Sequence, residues 1–346
     1  MQKKLIALAV AGLVSAPVFA QSSVTIYGLV DMGFAYRGDN IDSGIGSKNA
    51  IDSGMASGSR LGFRGVEDLG NGLKAGFVLE QGINVDRGTS AQSGRSYGRQ
   101  SYLSLGGNFG TVQLGRIYTP QKNLHSDFDP FGDGFVGKIS NVYVQTNGGR
   151  IDNTLAYVSP SFGGLRVTAA LSTQASGQEA RDNLGDARVW AISPRYTNGP
   201  LDVAFNYHRV KAKGVNDSAN KVWDLAAAYD FGVLKLAAMY GNNKDADLGD
   251  ADGKFWMLGA TVPVGAAGKV LVSYNRAKVE VNNMNDIKAS QWALGYVHQL
   301  SKRTDLYAAY ADINNRGNSF WAEVGDASNP GEGYQRGFNL GVRHRF

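Results

Sequence analysis

The sequence contains no cysteine, which excludes a disulfide scaffold, a CxxC redox pair and a thiolate metal site. Its four histidines, His125, His208, His298 and His344, lie far apart with no HxxxH or HExxH spacing. No histidine-based metal centre is therefore expected, and no motif implies a cofactor. After the first twenty residues no run of roughly eighteen apolar residues occurs, so no helix is expected to span a membrane. Strong charge of one sign is missing too. The 35 Lys and Arg against 30 Asp and Glu are too mild a bias to argue for nucleic-acid binding. The mean hydropathy of −0.24 is that of an ordinary soluble protein.

What is present starts with a leader. Lys3 and Lys4 form a basic start, residues 5–14 an apolar run, and Val18-Phe19-Ala20 a small-x-small cleavage signal. This reads as an export signal over 1–20, cut after Ala20, leaving 21–346 as one domain. Glycine is abundant, 46 of 346 residues, against an ordinary share of about 7%.

The rest of the chain alternates. In residues 165–172, Leu165, Val167, Ala169 and Leu171 fall on one face and Arg166, Thr168, Ala170 and Ser172 on the other. Residues 338–346 do the same, and in 73–80 Lys74, Gly76 and Glu80 face away from Ala75, Phe77 and Leu79. Successive strand side chains point to opposite faces, so each segment has one greasy and one polar side. Sixteen such segments are expected: 24–36, 55–67, 72–86, 95–106, 110–118, 150–160, 163–174, 188–197, 200–211, 222–231, 233–242, 254–264, 267–279, 289–300, 303–314 and 336–346. Their connections alternate between tight turns and longer stretches, the longest being the 31 residues 119–149. Short turns at one end and long loops at the other are the rhythm of an antiparallel transmembrane β-barrel in an outer membrane. In hydrocarbon every unpaired backbone N–H or C=O costs several kcal/mol, so such a sheet must close on itself. The modest hydropathy then averages a lipid-facing half with a water-facing half. Aromatic residues near segment ends (Tyr27, Trp190, Tyr196, Trp223, Tyr229, Trp256, Trp292) suit interfacial girdles.

Four stretches together resemble the general porins of Gram-negative bacteria, most closely the trimeric porins of β-proteobacteria. They are 23–31 (SVTIYGLVD), 59–74 (SRLGFRGVEDLGNGLK), 98–116 (GRQSYLSLGGNFGTVQLGR) and 341–346 (GVRHRF). The resemblance implies a 16-stranded barrel whose loop 119–149, after the fifth strand, folds inward as a constriction. It also implies a ladder of arginines on the facing wall, matched here by Arg60, Arg99 and Arg150. Alternation independently places Arg60 and Arg150 on polar faces, and Lys74 joins this basic set as a further wall cation. Acidic partners are Glu80 on the third strand and Asp127, Asp129 and Asp133 in the loop, which also carries Lys122 and Lys138. An Arg or Lys facing lipid at the midplane would cost about 2–4 kcal/mol, so these charges are expected in the lumen. The sequence departs from many relatives at Phe131, where an acidic residue follows the loop proline, Pro130. The loss of that acid is expected to tilt the field across the lumen towards anions.

The resemblance further implies that the terminal Phe346 serves as an assembly signal read by the barrel-insertion machinery. It implies a homotrimer among outer-membrane lipid and lipopolysaccharide, passing small hydrophilic solutes and anions. A channel selective for particular anionic nutrients, an outer-membrane enzyme and a plugged adhesin are the rival readings. The enzyme reading is weak. Gly94-Arg-Ser96-Tyr-Gly98 matches GxSxG but lacks the strand-then-helix context that motif needs. Residues 132–138 approach a phosphate-binding loop, yet Ile139 replaces the Ser or Thr required. Asp245, Asp247, Asp250 and Asp252 miss the EF-hand spacing.

Overall fold

A computed structural model describes residues 23–40, 46–132, 134–143, 149–177, 186–212, 219–245, 251–280, 286–316, 322–324 and 333–346. The expected leader, Asp133, Asp247 and Asp250 lie outside the described residues.

One sheet closes on itself. Along the chain its strands are β1 (Ser23–Asn40), β2 (Lys48–Ser53), β3 (Arg60–Gly70), β4 (Leu73–Asn84), β5 (Thr89–Ser90), β6 (Gln100–Gly107) and β7 (Gly110–Tyr118). Helix α1 (Pro120–Phe128) follows, then β8 (Arg150–Val158), β9 (Leu165–Ser172), β10 (Ala187–Asn198), β11 (Leu201–Ala212) and β12 (Asn220–Asp230). The circuit ends with β13 (Lys235–Asp245), β14 (Ala251–Val264), β15 (Gly268–Glu280), β16 (Ile287–Gln299), β17 (Thr304–Arg316) and β18 (Tyr334–Arg345). Neighbours pair antiparallel, and β18 returns to β1 with Leu29 opposite Arg345 and Phe34 opposite Leu340. The barrel has sixteen walls. β2 and β3 are two pieces of the second, both paired with β1, and β5 is a two-residue hairpin on the loop end of β4. All sixteen expected segments are present.

Alternation places the side chains as expected on the outside. Leu171, Leu225, Leu258, Leu294 and Leu340 are exposed, while their neighbours Ala170, Ala226, Met257, Ala293 and Asn339 are buried inside. Two aromatic rows border this apolar band. Ring pairs Trp190–Tyr207, Trp223–Tyr240, Trp256–Tyr274 and Trp292–Tyr310, with centroids 5.1–5.5 Å apart, mark the long-loop end. Tyr196, Tyr229, Phe231 and Tyr296 mark the short-turn end. Trp223 and Tyr229 are separated by six residues on one strand, roughly 20 Å of strand rise.

The inner face departs from expectation in two ways. It is not uniformly polar: β12–β17 present small apolar residues inward, including Ala226, Ala277, Ala289, Ala293, Ala309 and Ala311. They meet Phe128, Phe131, Phe135, Val136, Ile139 and Val142 of the long loop in one buried cluster. This part of the lumen wall is thus a docking surface for the loop, which buries apolar area at about 25 cal/mol per Å². Gly295 shows how close the approach is, since a Cβ there would come 2.9 Å from the Phe131 ring.

The second departure is the start of the second wall. Residues 55–59 were expected to be strand, yet 54–59 fold into the lumen instead, with Gly54 at φ +72°. The buried Asp31 carboxylate accounts for this. It accepts the N–H groups of Ala56 at 2.8 Å and Ser57 at 2.7 Å and the hydroxyl of Tyr307. Backbone donors that left the ladder therefore keep partners.

Candidate functional site: a constriction inside the barrel

The inward loop is built around a helix that alternation could not show. Thr119 caps α1, its hydroxyl accepting the Lys122 N–H at 3.0 Å, and Pro120 occupies the first turn. Both are strong helix starters. Gln121, Leu124, His125 and Phe128 form its buried face. Behind the helix, His125 Nε2 lies 3.4 Å from Asp224 Oδ1, and Asn206 donates to Asp224 Oδ2 at 2.9 Å. The helix is therefore tied to β11 and β12. Beyond it, the Asp129 carboxylate accepts the N–H of Phe131 at 3.0 Å and of Ile139 at 2.9 Å. This clamps the turn that seats Phe131 against the wall. Gly134 and Phe135 then meet the 54–59 fold, with the Phe135 N–H donating to the Met55 carbonyl.

Across the passage from the loop, three arginines come together. Arg99 Nε donates to Glu80 Oε1 at 2.7 Å, and Arg60 Nη1 lies 4.0 Å from the same oxygen. Tyr27 donates to the other Glu80 oxygen at 2.9 Å. Arg99 also donates to the Tyr118 hydroxyl at 2.6 Å, and the Arg150 guanidinium stacks 4.8 Å above the Tyr118 ring. Such stacking holds like charges near each other. Arg60 is fixed on its other side by Ser57 Oγ at 2.5 Å and the Gly58 carbonyl at 3.0 Å. Arg60, Arg99, Arg150 and Glu80 thus converge as the sequence implied, with Glu80 buried behind the arginines as their counter-charge rather than facing the passage.

Arg150 reaches this position by a different route from simple alternation. On β8, Asp152 and Asn153 oppose the single residue Arg116 of β7, and Asn153 takes φ +49°. The bulge breaks the expected parity, so Ile151 and Asp152 are both buried. Asp152 binds Arg95 at 2.7 Å and Arg116.

The other expected members lie elsewhere. Lys74 sits at the turn end of β4, exposed and opposite Asp68 and Gly106. It is six residues along the strand from Glu80, roughly 20 Å away. Asp127 turns to the β10 wall, where it pairs with Arg195; Arg195 also holds Asp202 through Nε at 2.8 Å. Asp129 is buried in the loop turn. Among the described residues, then, the loop does not present the acidic face expected of it. The passage between loop and wall is lined by Arg60, Arg99, Arg150 and Tyr118 on one side and by Lys122, Asn123, Ser126, Gly134, Phe135 and Lys138 on the other. Arg37 and Asp52 complete its charged lining. Among the described residues, six cations therefore face one carboxylate. Phe131 does not touch the passage, being 1% exposed within the loop–wall cluster. Its effect on charge is the absence of an acid, not the presence of a ring.

Tyr27, expected in an interfacial girdle, instead donates to the buried Glu80, and Tyr118, Arg37 and the 54–59 fold were passed over in the sequence. Only the Gly54–Gly58 pair hinted at the last. Gly94–Gly98 lies in turns of the β5–β6 connection, without a helix after it. Among the described residues no group of three or more His, Asp or Glu is placed to hold a metal.

A family model described as Gram-negative porin matches residues 7–318. The chain is 37% identical to outer membrane porin protein 32 of Delftia acidovorans and 33% identical to an outer membrane porin protein of Bordetella pertussis. Each alignment covers 100% of both chains. Among solved structures, an anion-selective porin from Comamonas acidovorans superposes with a TM-score of 0.79 at 34% identity, over 94% of this chain and 100% of that one. A loop-deletion form of OmpT from Vibrio cholerae gives a TM-score of 0.73 at 17% identity, over 94% and 99% of the two chains; that likeness concerns the fold alone.

Proposed function

Since the chain belongs to the Gram-negative porin family, we propose that its basic constriction gives the channel a modest preference for anions. As an outer-membrane porin it forms a water-filled path for passive diffusion of small hydrophilic solutes and ions. Long loops then face outward and short turns the periplasm. The observation that carries the preference is the lining of the passage, where the described residues set six cations against one carboxylate, Asp52. Charge rings in a low-dielectric wall raise the local concentration of the opposite ion. Arg60, Arg99 and Arg150 carry the role on the barrel wall, and Lys122 and Lys138 support it from the loop. Lys74, Asp127 and Asp129 contribute to stability or vestibule charge instead. No step of catalysis enters this reading.

Assembly follows the same proposal. Phe346 exchanges backbone hydrogen bonds with Gly28 at 3.0 and 3.1 Å, and its ring covers the space a Cβ at Gly28 would need. The terminal residue is therefore part of barrel closure, which supports its reading as the signal used by the insertion machinery. A homotrimer embedded in outer-membrane lipid and lipopolysaccharide is proposed from the family.

A planar bilayer separating two salt concentrations tests the function. The expected zero-current potential has the sign of anion preference, with no saturable block by any one solute. Clear cation preference overturns the reading, and saturable block by one anionic solute replaces it with a selective channel.

A further inference from the structure

The outer surface of the barrel carries a second basic feature, unconnected with the passage. On the long-loop side of the aromatic row, the outward positions of four adjacent strands are cations placed directly opposite one another. Lys254 of β14 faces Lys278 of β15, Lys278 faces Lys288 of β16, and Lys288 faces Arg316 of β17. Like charges directly opposite on a sheet are destabilising. Glu280 and Asp286 relieve part of this. Lys278 reaches Glu280 at 2.6 Å and Asp286 at 3.0 Å, Lys254 reaches Glu280 at 3.7 Å, and Lys288 reaches Asp286 at 3.3 Å. Asp312, on the same outer face, is taken by Arg336 at 2.8 Å. Among the described residues, Arg276 and Arg316 have no carboxylate partner.

Those two arginines line a small outer cleft with Lys288, Ser290, Asn314 and the ring of Tyr274. Ser290 stands opposite both Arg276 and Asn314, so cations and neutral donors converge on one spot. Immediately towards the membrane centre, and sharing Tyr274, runs an apolar groove lined by Leu258, Val272, Trp292 and Leu294. All four are strongly exposed. Arg276 is two residues from Tyr274 on one strand, about 7 Å above the aromatic row.

We propose that this cleft and groove together seat a phosphorylated lipid of the outward-facing leaflet, its phosphate held by Arg276, Arg316 and Lys288 and its acyl chains laid along Leu258, Val272 and Leu294. The charge pattern selects the occupant. A neutral or zwitterionic lipid would leave the facing cations unrelieved, whereas a phosphate supplies several acceptors for guanidinium forks. A soluble phosphate would use the cleft but not the groove. Juxtamembrane Lys and Arg attract anionic lipid electrostatically. The inference rests on the outer-membrane placement, which puts this end of the strands at the outward leaflet, and not on ion selectivity.

The test is a native mass-spectrometry titration of the purified, folded protein in neutral detergent. Phosphatidic acid and phosphatidylcholine with identical chains serve as probes, alongside inorganic phosphate. Phosphatidic acid is expected to bind about tenfold more tightly than phosphatidylcholine, at one saturable site per chain. Arg276→Gln with Arg316→Gln is expected to remove that difference, since it takes away two of the three cations offered to the phosphate. Lys302→Gln with Arg303→Gln, the same charge change in a short turn at the opposite end, is expected to leave it intact. Equal binding of both lipids overturns the proposal, as does phosphatidic-acid binding that the cleft variant leaves unchanged. Inorganic phosphate competing fully with phosphatidic acid overturns the lipid assignment. No arm reads conductance, so failure here is distinguishable from failure of the channel reading.

Discussion

Replacing Arg60 and Arg150 together by glutamine removes two of the six cations that line the passage while leaving Arg99 on Glu80. The fold should therefore survive, because the buried carboxylate keeps its closest cation. An ion passing about 8 Å from a guanidinium interacts by roughly 0.5 kcal/mol in a water-like dielectric. Screening at 0.1 M salt cuts this to ~0.2 kcal/mol. Anions lose that attraction and cations lose an equal repulsion, so the two substitutions shift the anion–cation difference by about 0.9 kcal/mol. The expected result is a roughly fivefold fall in the anion-to-cation permeability ratio. Low-dielectric walls enlarge the effect, which makes fivefold a lower bound. The assay is the zero-current potential of both proteins across a planar bilayer with a salt gradient. It should be repeated near 1 M salt, where the Debye length is about 3 Å and the difference should nearly vanish. A double variant that keeps the parental ratio to within about twofold at 0.1 M, against the roughly fivefold fall expected, would refute the assignment of selectivity to this cluster.

Three further outcomes follow from the same contacts. Arg99→Gln leaves the 3%-exposed Glu80 without its 2.7 Å ion pair and should cost about 3 kcal/mol of stability. Urea unfolding measures this, and adding Glu80→Gln should restore most of the loss; no recovery in the double variant would show that Arg99 acts elsewhere. Phe131→Ala empties a buried position between loop and wall, worth about 3–5 kcal/mol of local packing. Single-channel recordings should then show a larger, noisier current, and a steady parental current would mean that the ring does not seat the loop. Phe346→Ala keeps the backbone pairing with Gly28 but removes the ring over it. Refolding into vesicles, followed by the heat-dependent gel shift of the folded barrel, should be slower, and unchanged kinetics would remove the ring from the assembly signal.

The barrel was legible because membrane burial imposes one rule on every strand. Outward residues must be apolar and backbone groups must pair, so sixteen segments repeat the same pattern and errors in one do not spread. The arginine wall was legible for a related reason, since Arg60 lies in a strand where alternation holds. Where the rule lapsed, the reading slipped. The bulge at Asn153 moved Ile151 inside, and Asp31, a buried carboxylate in β1, drew 54–59 out of the wall through contacts 25 and 26 residues away in sequence. The loop was least legible, because its residues answer to a surface that only the closed barrel creates. Asp127 and Asp129 looked like one acidic face in sequence. In the fold one pairs with Arg195 and the other accepts two loop N–H groups, and both are thereby withdrawn from the passage. The anion preference was expected from one missing acid at Phe131. The structure gives a broader cause: Asp127 and Asp129 are consumed in holding the loop, so that among the described residues Lys122 and Lys138 are the charges it shows to the arginines. Stability and selectivity are in this way coupled, since the carboxylates that fix the constriction are the ones it no longer presents to a passing ion.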